Sequence, residues 1–125
     1  MKRAHDAWRV HMHKEMKRGL LSMWILWALK KKGGEMYGYE IIQQLEMKTK
    51  GKWVPKAGTV YPILRRLEKL GFVKSTWTTK KTGGPSRRYY KITGEGEKAA
   101  EAAFSEWRKV MTGFRDFLRE IFGVD

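Results

Sequence analysis

The sequence predicts a mostly helical α+β domain that ends in one long C-terminal helix. Three observations predict this class: apolar residues recur at helical spacing through most of residues 1–70, they alternate with polar residues after Gly71, and they adopt a heptad spacing after Thr93. A length of 125 residues suits one domain with an appended helix, and it is short enough for a dimer to add much to the buried core.

The first helix is predicted over residues 1–32, with at most a short break or bend at Gly19. Its central run, Leu20–Leu29, is apolar almost all round, so it should be buried on more than one side. The run is too short to span a bilayer and does not fit a secretory signal, so we expect no membrane partner; surface binding of lipid by residues 1–18 is a minor alternative. The three histidines cannot complete a closed metal site, and we expect neither a metal nor a cofactor.

Two amphipathic helices follow, joined by a short extended link. The second is predicted from about Tyr39 to Lys48. The third is predicted from Thr59 to Leu70, with an apolar stripe on one side and, on the other, Thr59, Pro62, Arg65, Arg66 and Lys69. Thr59 is the predicted N-cap, Pro62 is predicted in the first turn, and Gly71 is the predicted C-cap. Such a helix can lie on a core and present cations, and we expect it to enter the major groove of DNA.

Two predicted strands flank a basic turn. Val73, Ser75 and Trp77 alternate with polar residues, and a second alternation ends at Ile92. Four cations surround the Gly-Gly-Pro turn between them: Lys80, Lys81, Arg87 and Arg88. They would suit a phosphate backbone or a minor groove, although a solvated loop is the alternative reading. The order helix, helix, basic helix, strand, basic turn, strand is that of a winged helix-turn-helix.

The C-terminal segment is predicted to be one helix with Thr93 as its N-cap. Apolar residues then step by four and three in a heptad pattern: Ala100, Phe104, Trp107, Met111, Phe114, Leu118 and Ile121. A helix with this much apolar surface beyond a small domain needs a partner. A dimer seam is the first interpretation, with the first helix contributing to it, and packing against its own domain is the alternative.

Charge is distributed unevenly along the chain. Of the net +14, residues 95–125 carry five basic against seven acidic residues, a net of −2, so residues 1–94 carry +16. A body this basic attracts polyanions through phosphate neutralisation and counterion release. The chain has no cysteine, which excludes a disulfide framework, a cysteine-ligated zinc site and a catalytic thiol, and favours a cytoplasmic protein associated with the nucleoid. No enzyme motif is found, so we expect a non-enzymatic protein.

Three stretches of this sequence resemble the PadR family of bacterial and archaeal transcriptional regulators. They are Tyr37–Ile42, similar to the family's "HGYEI" segment; Gly58–Gly71, similar to "GTLYPxLxRLExxGL"; and Gly83–Gly96, similar to the wing "GGPxRKYYxLTxxG". Tyr37 replaces a common histidine, Val60 a leucine and Phe72 the final leucine. The resemblance implies a dimeric winged-helix transcription factor, usually a repressor, that binds a pseudo-palindromic operator through its third helix and wing and dimerises through its C-terminal helix.

These inferences define three segments: a basic helical extension of residues 1–16, a winged-helix DNA-binding domain of residues 17–93, and a dimerisation helix of residues 94–125. The candidate contacts with double-stranded DNA are Lys56, Thr59, Tyr61, Pro62, Arg65, Arg66, Lys69, Lys80, Lys81, Arg87 and Arg88. The Tyr61 hydroxyl is expected at a phosphate, and the third helix supplies arginines for backbone or guanine edges, with the base-reading arginine left open.

Two further hypotheses concern control and specificity. Aromatic residues near the predicted dimer axis could form a chamber for a planar aromatic effector, a cationic compound included: Trp8, Trp24, Trp27, Phe104 and Trp107. A packed interface without a pocket is the alternative. The charge of the body also leaves open an architectural protein that coats DNA without an operator or an effector.

Overall fold

A computed structural model describes residues 2–78 and 87–123 of the chain. The elements in chain order are α1 (Lys2–Lys32), β1 (Met36–Tyr37), α2 (Gly38–Lys48), α3 (Ala57–Lys69), β2 (Val73–Thr78), β3 (Arg87–Ile92) and α4 (Gly94–Phe122). This is the predicted fold class: four helices with a small antiparallel sheet in a winged-helix arrangement and a long final helix. Among the described helices, none is both long enough and apolar enough to cross a membrane.

The first helix agrees in extent with the prediction, since α1 covers Lys2–Lys32. α1 runs without a break through Gly19 and through the proposed boundary at residue 16. Its apolar run supplies the centre of the core, where Leu21, Ile25 and Leu29 are buried. The helix ends where Gly33 adopts a φ of 70° and donates its N–H to the Leu29 carbonyl.

The sheet contains a strand that the sequence did not predict. β1 pairs antiparallel with β3, and β3 pairs antiparallel with β2, which gives the order β1-β3-β2. β1 has only two residues, so it has no alternation that a sequence pattern could reveal. Its pairing of Met36 with Tyr90 nevertheless links the turn before α2 to the wing, and Met36 is buried in the core.

The start of α3 differs from the prediction. The helix begins at Ala57 with Lys56 as its N-cap, two residues before Thr59. Thr59 is therefore wrong as the N-cap, and Pro62 lies in the second turn, where its missing N–H removes one intrahelical bond to the exposed Gly58. Pro55 precedes the N-cap and keeps the preceding chain extended.

α3 ends one residue earlier than predicted, with Leu70 as its C-cap and Gly71 as the next residue. Gly71 has a φ of 81° and donates to the Glu68 carbonyl, while the next N–H, that of Phe72, donates to Leu67. These two bonds form a Schellman motif, and glycine is the residue that adopts the required left-handed conformation without strain. The motif turns the chain from α3 into β2.

The junction between the sheet and α4 is tightly built. Thr93 caps α4 as predicted, because its Oγ1 accepts from the Gly96 N–H at 3.0 Å, and the same hydroxyl donates to the Gly71 carbonyl. A Cβ at Gly96 would lie 2.0 Å from the Phe72 carbonyl oxygen, so this position needs glycine. The start of α4 is therefore fixed to the end of α3.

Ala100 corrects one part of the predicted dimer seam. Its side chain is 1% exposed and belongs to the core of its own domain, and its carbonyl accepts a 2.9 Å hydrogen bond from the indole N–H of Trp27. Only the first turns of α4 pack on the domain in this way. The residues after Trp107 are exposed up to Gly123.

Candidate nucleic-acid interface

The outer face of α3 is free of contacts with the core. Val60, Leu64 and Leu67 are buried against the other helices. The opposite face and the N-cap are exposed, and they carry the residues predicted for DNA: Lys56, Thr59, Tyr61, Pro62, Arg65, Arg66 and Lys69. Pro62 and Lys69 are seven residues apart and lie at the centre of this face, and Arg65 and Arg66 lie on either side of the line that joins them.

Tyr61 lies where α3 meets the start of α2. A Cβ built on Gly38 would lie 2.5 Å from three side-chain atoms of Tyr61, two in the ring and the hydroxyl oxygen. The phenol therefore packs directly on the backbone of Gly38, the first residue of α2. The side chain is 37% exposed, so its position is set by this contact while part of it faces solvent.

A groove of about 710 Å³ runs between α3 and the wing, and we call it the α3–wing groove. Its walls are mainly aromatic rings and guanidinium groups: Tyr37, Gly38, Tyr39, Tyr61, Arg65, Trp77, Arg87, Arg88 and Tyr90. Cations with aromatic faces suit the phosphates, sugars and bases of nucleic acid. Five of these wall residues were absent from the predicted contacts: Tyr37, Gly38, Tyr39, Trp77 and Tyr90. The first three lie in the stretch that resembles "HGYEI".

Arg87 belongs to a strand rather than to the turn in which the sequence placed it. Its guanidinium lies 4.5 Å from the centre of the Tyr37 ring, which is within the range of a cation–π contact. Tyr37 in turn packs edge-on against Tyr89, with ring centres 5.7 Å apart, and stacks with Tyr39. This cluster holds Arg87 at one wall of the α3–wing groove.

Arg88 is also in β3, and its guanidinium is bound within the protein. Its Nη2 lies 2.8 Å from Glu68 Oε1, and its Nε donates to Ser75 Oγ at 2.9 Å. The pair is partly buried, with 34% of the arginine side chain and 28% of the glutamate side chain exposed. The sequence grouped Arg88 with the solvated cations of the turn, whereas the structure gives it a carboxylate partner on α3.

The phenol of Tyr90 lies behind Arg88. Burial raises the pKa of Tyr90 above 10.0, and the nearby Arg88 charge opposes this increase. A tyrosine hydroxyl is protonated at neutral pH and can donate a hydrogen bond. The other two predicted wing contacts, Lys80 and Lys81, lie outside the described residues.

The five predicted effector residues are divided among three places. Trp27 packs edge-on against Phe104 and Trp107, each with ring centres 6.3 Å apart, beside a cavity of about 630 Å³ between α1 and α4. Trp24 packs against Trp53 and lines, with Trp27, a smaller cavity of about 230 Å³ beside α2. Trp8 is 63% exposed and lies beside His11, far along α1 from both cavities. The single chamber predicted from sequence is therefore not formed within one chain.

Comparison with known proteins identifies this arrangement. The model of the transcriptional regulator PadR-like family matches residues 25–102. The chain belongs to the PadR-like family of transcriptional regulators. The matched range begins in the buried part of α1, contains α2, α3 and both wing strands, and ends in the first turns of α4.

Solved structures agree with this assignment. A transcriptional regulator from Clostridium thermocellum is 34% identical, with a TM-score of 0.74, over 83% of this chain and 98% of that chain. A PadR family regulator from Eggerthella lenta gives the same TM-score at 28% identity, covering 92% and 96% of the two chains. A PadR-like regulator from Bacillus cereus is 30% identical with a TM-score of 0.70, over 84% and 97%. This PadR-family chain is therefore a DNA-binding regulator with a winged-helix fold.

Proposed function

We propose that this PadR-family regulator represses transcription by binding a pseudo-palindromic operator as a homodimer. The observation that carries the proposal is the exposed basic face of α3, which lies beside the α3–wing groove on one side of the domain. α3 enters the major groove, and the wing follows the backbone at the flank. A two-fold dimer sets the two copies of α3 about one turn of DNA apart.

Within this complex each group has a chemical role. Arg65 reads a guanine edge, because it is exposed on α3 and also lines the α3–wing groove, whereas Arg66 lies on the other side of the exposed face. The Tyr61 hydroxyl donates to a phosphate near the start of α2, and Lys56, Thr59, Pro62 and Lys69 lie against the backbone around it. Arg87, Lys80 and Lys81 neutralise phosphates at the flank.

The homodimer is supported by the apolar surface of α4. Past the first turns, the side chains of the heptad seam are exposed in the monomer: Phe104, Met111, Phe114, Leu118 and Ile121 are 37–54% exposed. On α1, Met12 and Met16 lie on the same face as Trp27, since the intervening steps are multiples of three and four. A second copy covers both surfaces, with the basic start of α1 beside the net −2 of residues 95–125.

The proposal includes an aromatic effector at the dimer interface, but its charge differs from that of the cationic compound considered from sequence. The cavity beside Trp27 and Trp107 has Lys30 and Lys31 at its rim, and Glu101 is occupied by an ion pair with Lys30 at 3.6 Å. The excess positive charge favours a neutral or anionic planar compound over a cationic one. Titration with such compounds should quench tryptophan emission in the wild type and should do so less in Trp107→Leu; an unchanged emission would argue against the pocket.

Competition binding tests the proposed function. The operator is first defined by genome-wide binding sites, and a labelled operator fragment is then challenged with a scrambled duplex at physiological salt. A specific regulator should prefer its operator by a factor of about 10³ or more. An architectural DNA-binding protein, which the net charge of +16 on residues 1–94 supports as the second candidate, should bind both duplexes alike. Repression is tested in cells with a reporter gene under control of the operator. The proposed site of action is the nucleoid in the cytoplasm.

A further inference from the structure

A three-residue cluster connects α3 to both strands of the wing. Arg88 of β3 donates to Glu68 of α3 at 2.8 Å and to Ser75 of β2 at 2.9 Å, and the Ser75 hydroxyl donates to the same carboxylate. Each residue comes from a different element, and the longest separation in sequence is 20 residues. We call this cluster the α3–wing clamp.

The clamp is more than an exposed surface ion pair. Both charged side chains are about one-third exposed or less, and the guanidinium lies near two aromatic rings, 5.9 Å from the centre of Trp77 and 5.8 Å from that of Tyr90. Bonds between ionised partners are shorter and stronger than those between neutral groups. A pair held by rings and by a third hydrogen-bonding group has a defined geometry, unlike two long side chains in water.

The outer half of the wing needs such a connection to α3 for its stability. Its inner half is held by the core through Val73, Tyr90 and Ile92, which are buried. Its outer half, from Thr76 to Thr78, is exposed, and a two-stranded ribbon without a hydrophobic face on a core is marginally stable and strongly twisted. The clamp lies at the boundary between these halves, because Ser75 pairs with Tyr90 and Trp77 pairs with Arg88.

We propose that Glu68, Ser75 and Arg88 are positioning residues that fix the angle between the wing and α3. This angle sets the separation between the major-groove contacts of α3 and the flanking contacts of the wing, and so the clamp determines which operator geometry the protein accepts. The inference rests on the proposed function, since it assumes that α3 and the wing contact the same duplex. In this role Arg88 binds Glu68 and Ser75 within the protein and does not bind a DNA phosphate.

The two roles of Arg88 predict opposite signs for one substitution. Glu68→Gln removes a negative charge from the DNA-facing side. If Arg88 bound phosphate, losing its competitor carboxylate would tighten binding to every duplex. If the clamp positions the wing, the same substitution should weaken operator binding on the order of tenfold, since coupled groups in one network interact at that scale.

The binding experiment uses Glu68→Gln, Arg88→Gln and the double variant, measured by fluorescence anisotropy on operator and scrambled duplexes over a range of salt. We expect each single variant to lose operator affinity about equally, the double variant to lose little more, and the salt slope of Arg88→Gln to stay at the wild-type value. The exchange Glu68→Arg with Arg88→Glu should recover part of the affinity. Tighter binding by Glu68→Gln, or a shallower salt slope for Arg88→Gln, would overturn the inference.

A distance measurement tests the clamp without DNA. The chain has no cysteine, so Met47→Cys on α2 and Thr78→Cys on β2, both at exposed positions, accept spin labels at these two sites alone. Glu68→Gln should broaden or shift the distance distribution between the labels, while circular dichroism shows that the variant is folded. An unchanged distribution would refute positioning. A wild type without operator preference would instead refute the proposed function, and the distances would still decide the clamp.

Discussion

At the residue scale, close packing decides where the DNA-facing groups point. Tyr61 is held against the backbone of Gly38, and Arg87 is held over the ring of Tyr37. Neither side chain is placed by its own helix or strand alone. The two proposed DNA contacts are therefore oriented in the free protein, which would reduce the ordering cost of binding DNA.

Gly38→Ala should destabilise the fold and weaken DNA binding. The added methyl would lie 2.5 Å from the Tyr61 ring, and overpacking of this kind costs about 1–3 kcal/mol. Urea unfolding measures the loss, and operator titration shows whether the displaced Tyr61 lowers affinity. Gly19→Ala is the matched control, because nothing lies within 4 Å of a Cβ there; alanine in that helix should raise stability by roughly 0.5–1 kcal/mol. Equal stability of the two variants would contradict the packing of Tyr61 on Gly38.

Arg65→Ala should lower discrimination rather than general affinity. Loss of a bidentate contact to guanine costs about 1–3 kcal/mol at one base pair and relaxes the preference there. Lys69→Ala, on the same exposed face of α3, serves as the comparison, since loss of a phosphate contact weakens all duplexes alike. Binding to a set of single-base operator variants provides the measurement. A uniform loss in both variants would exclude base reading by Arg65.

At the element scale, the two parts of α4 lie in different environments. Its first turns are core elements, with Gly96 and Ala100 buried and Thr93 joined to the end of α3. Its remaining turns extend from the domain with apolar side chains in water. A helix of 29 residues with such a stripe gains most of its stability from packing, so we infer that its exposed part is covered by a second copy.

Leu118→Glu should convert the proposed dimer into monomers. A carboxylate at a buried apolar position without a partner costs several kcal/mol, enough to raise the dimer dissociation constant by roughly a hundredfold or more. Thr112→Glu is the matched control, because it adds the same charge to α4 on the side opposite the seam. Sedimentation equilibrium measures the change. A dimer that persists in Leu118→Glu would show that this seam is not the interface.

At the scale of the whole molecule, charge and symmetry act together. Residues 1–94 carry a net charge of +16, and the exposed face of α3 and the α3–wing groove concentrate part of it on one side. The proposed two-fold dimer would double that surface. In the proposed function, electrostatics supplies attraction to any duplex, while the geometry of α3 and the wing selects an operator.

Salt should therefore weaken operator binding steeply. With about 6–10 phosphates neutralised, affinity is expected to fall by roughly 10³–10⁵ between 50 and 200 mM salt. The double variant Lys80→Ala and Lys81→Ala removes two proposed contacts per protomer, so the logarithmic slope should become shallower by about four units for a dimer. Anisotropy titrations at several salt concentrations measure both values. An unchanged slope in the variant would remove these lysines from the interface.

The sequence by itself determined the features that depend on local pattern. The three helices of the domain, the hairpin strands, the Schellman stop at Gly71, the cap at Thr93 and the heptad stripe are each recorded in residue spacing or in a few adjacent residues. The exposed face of α3 followed as well, because helical periodicity separates its apolar side from its basic side. These predictions need no knowledge of how the elements pack.

Tertiary structure alone decided which distant residues meet. The two-residue strand β1 forms because Met36 pairs with Tyr90. Arg88 is not a free cation because its guanidinium binds Glu68 on α3, 20 residues earlier in the sequence. Ala100 is buried in its own domain, where its carbonyl accepts from Trp27, and within one chain roughly 28 Å of α1 separates Trp8 from Trp27. Such pairings arise from the packing of elements remote in sequence, and no local spacing encodes them.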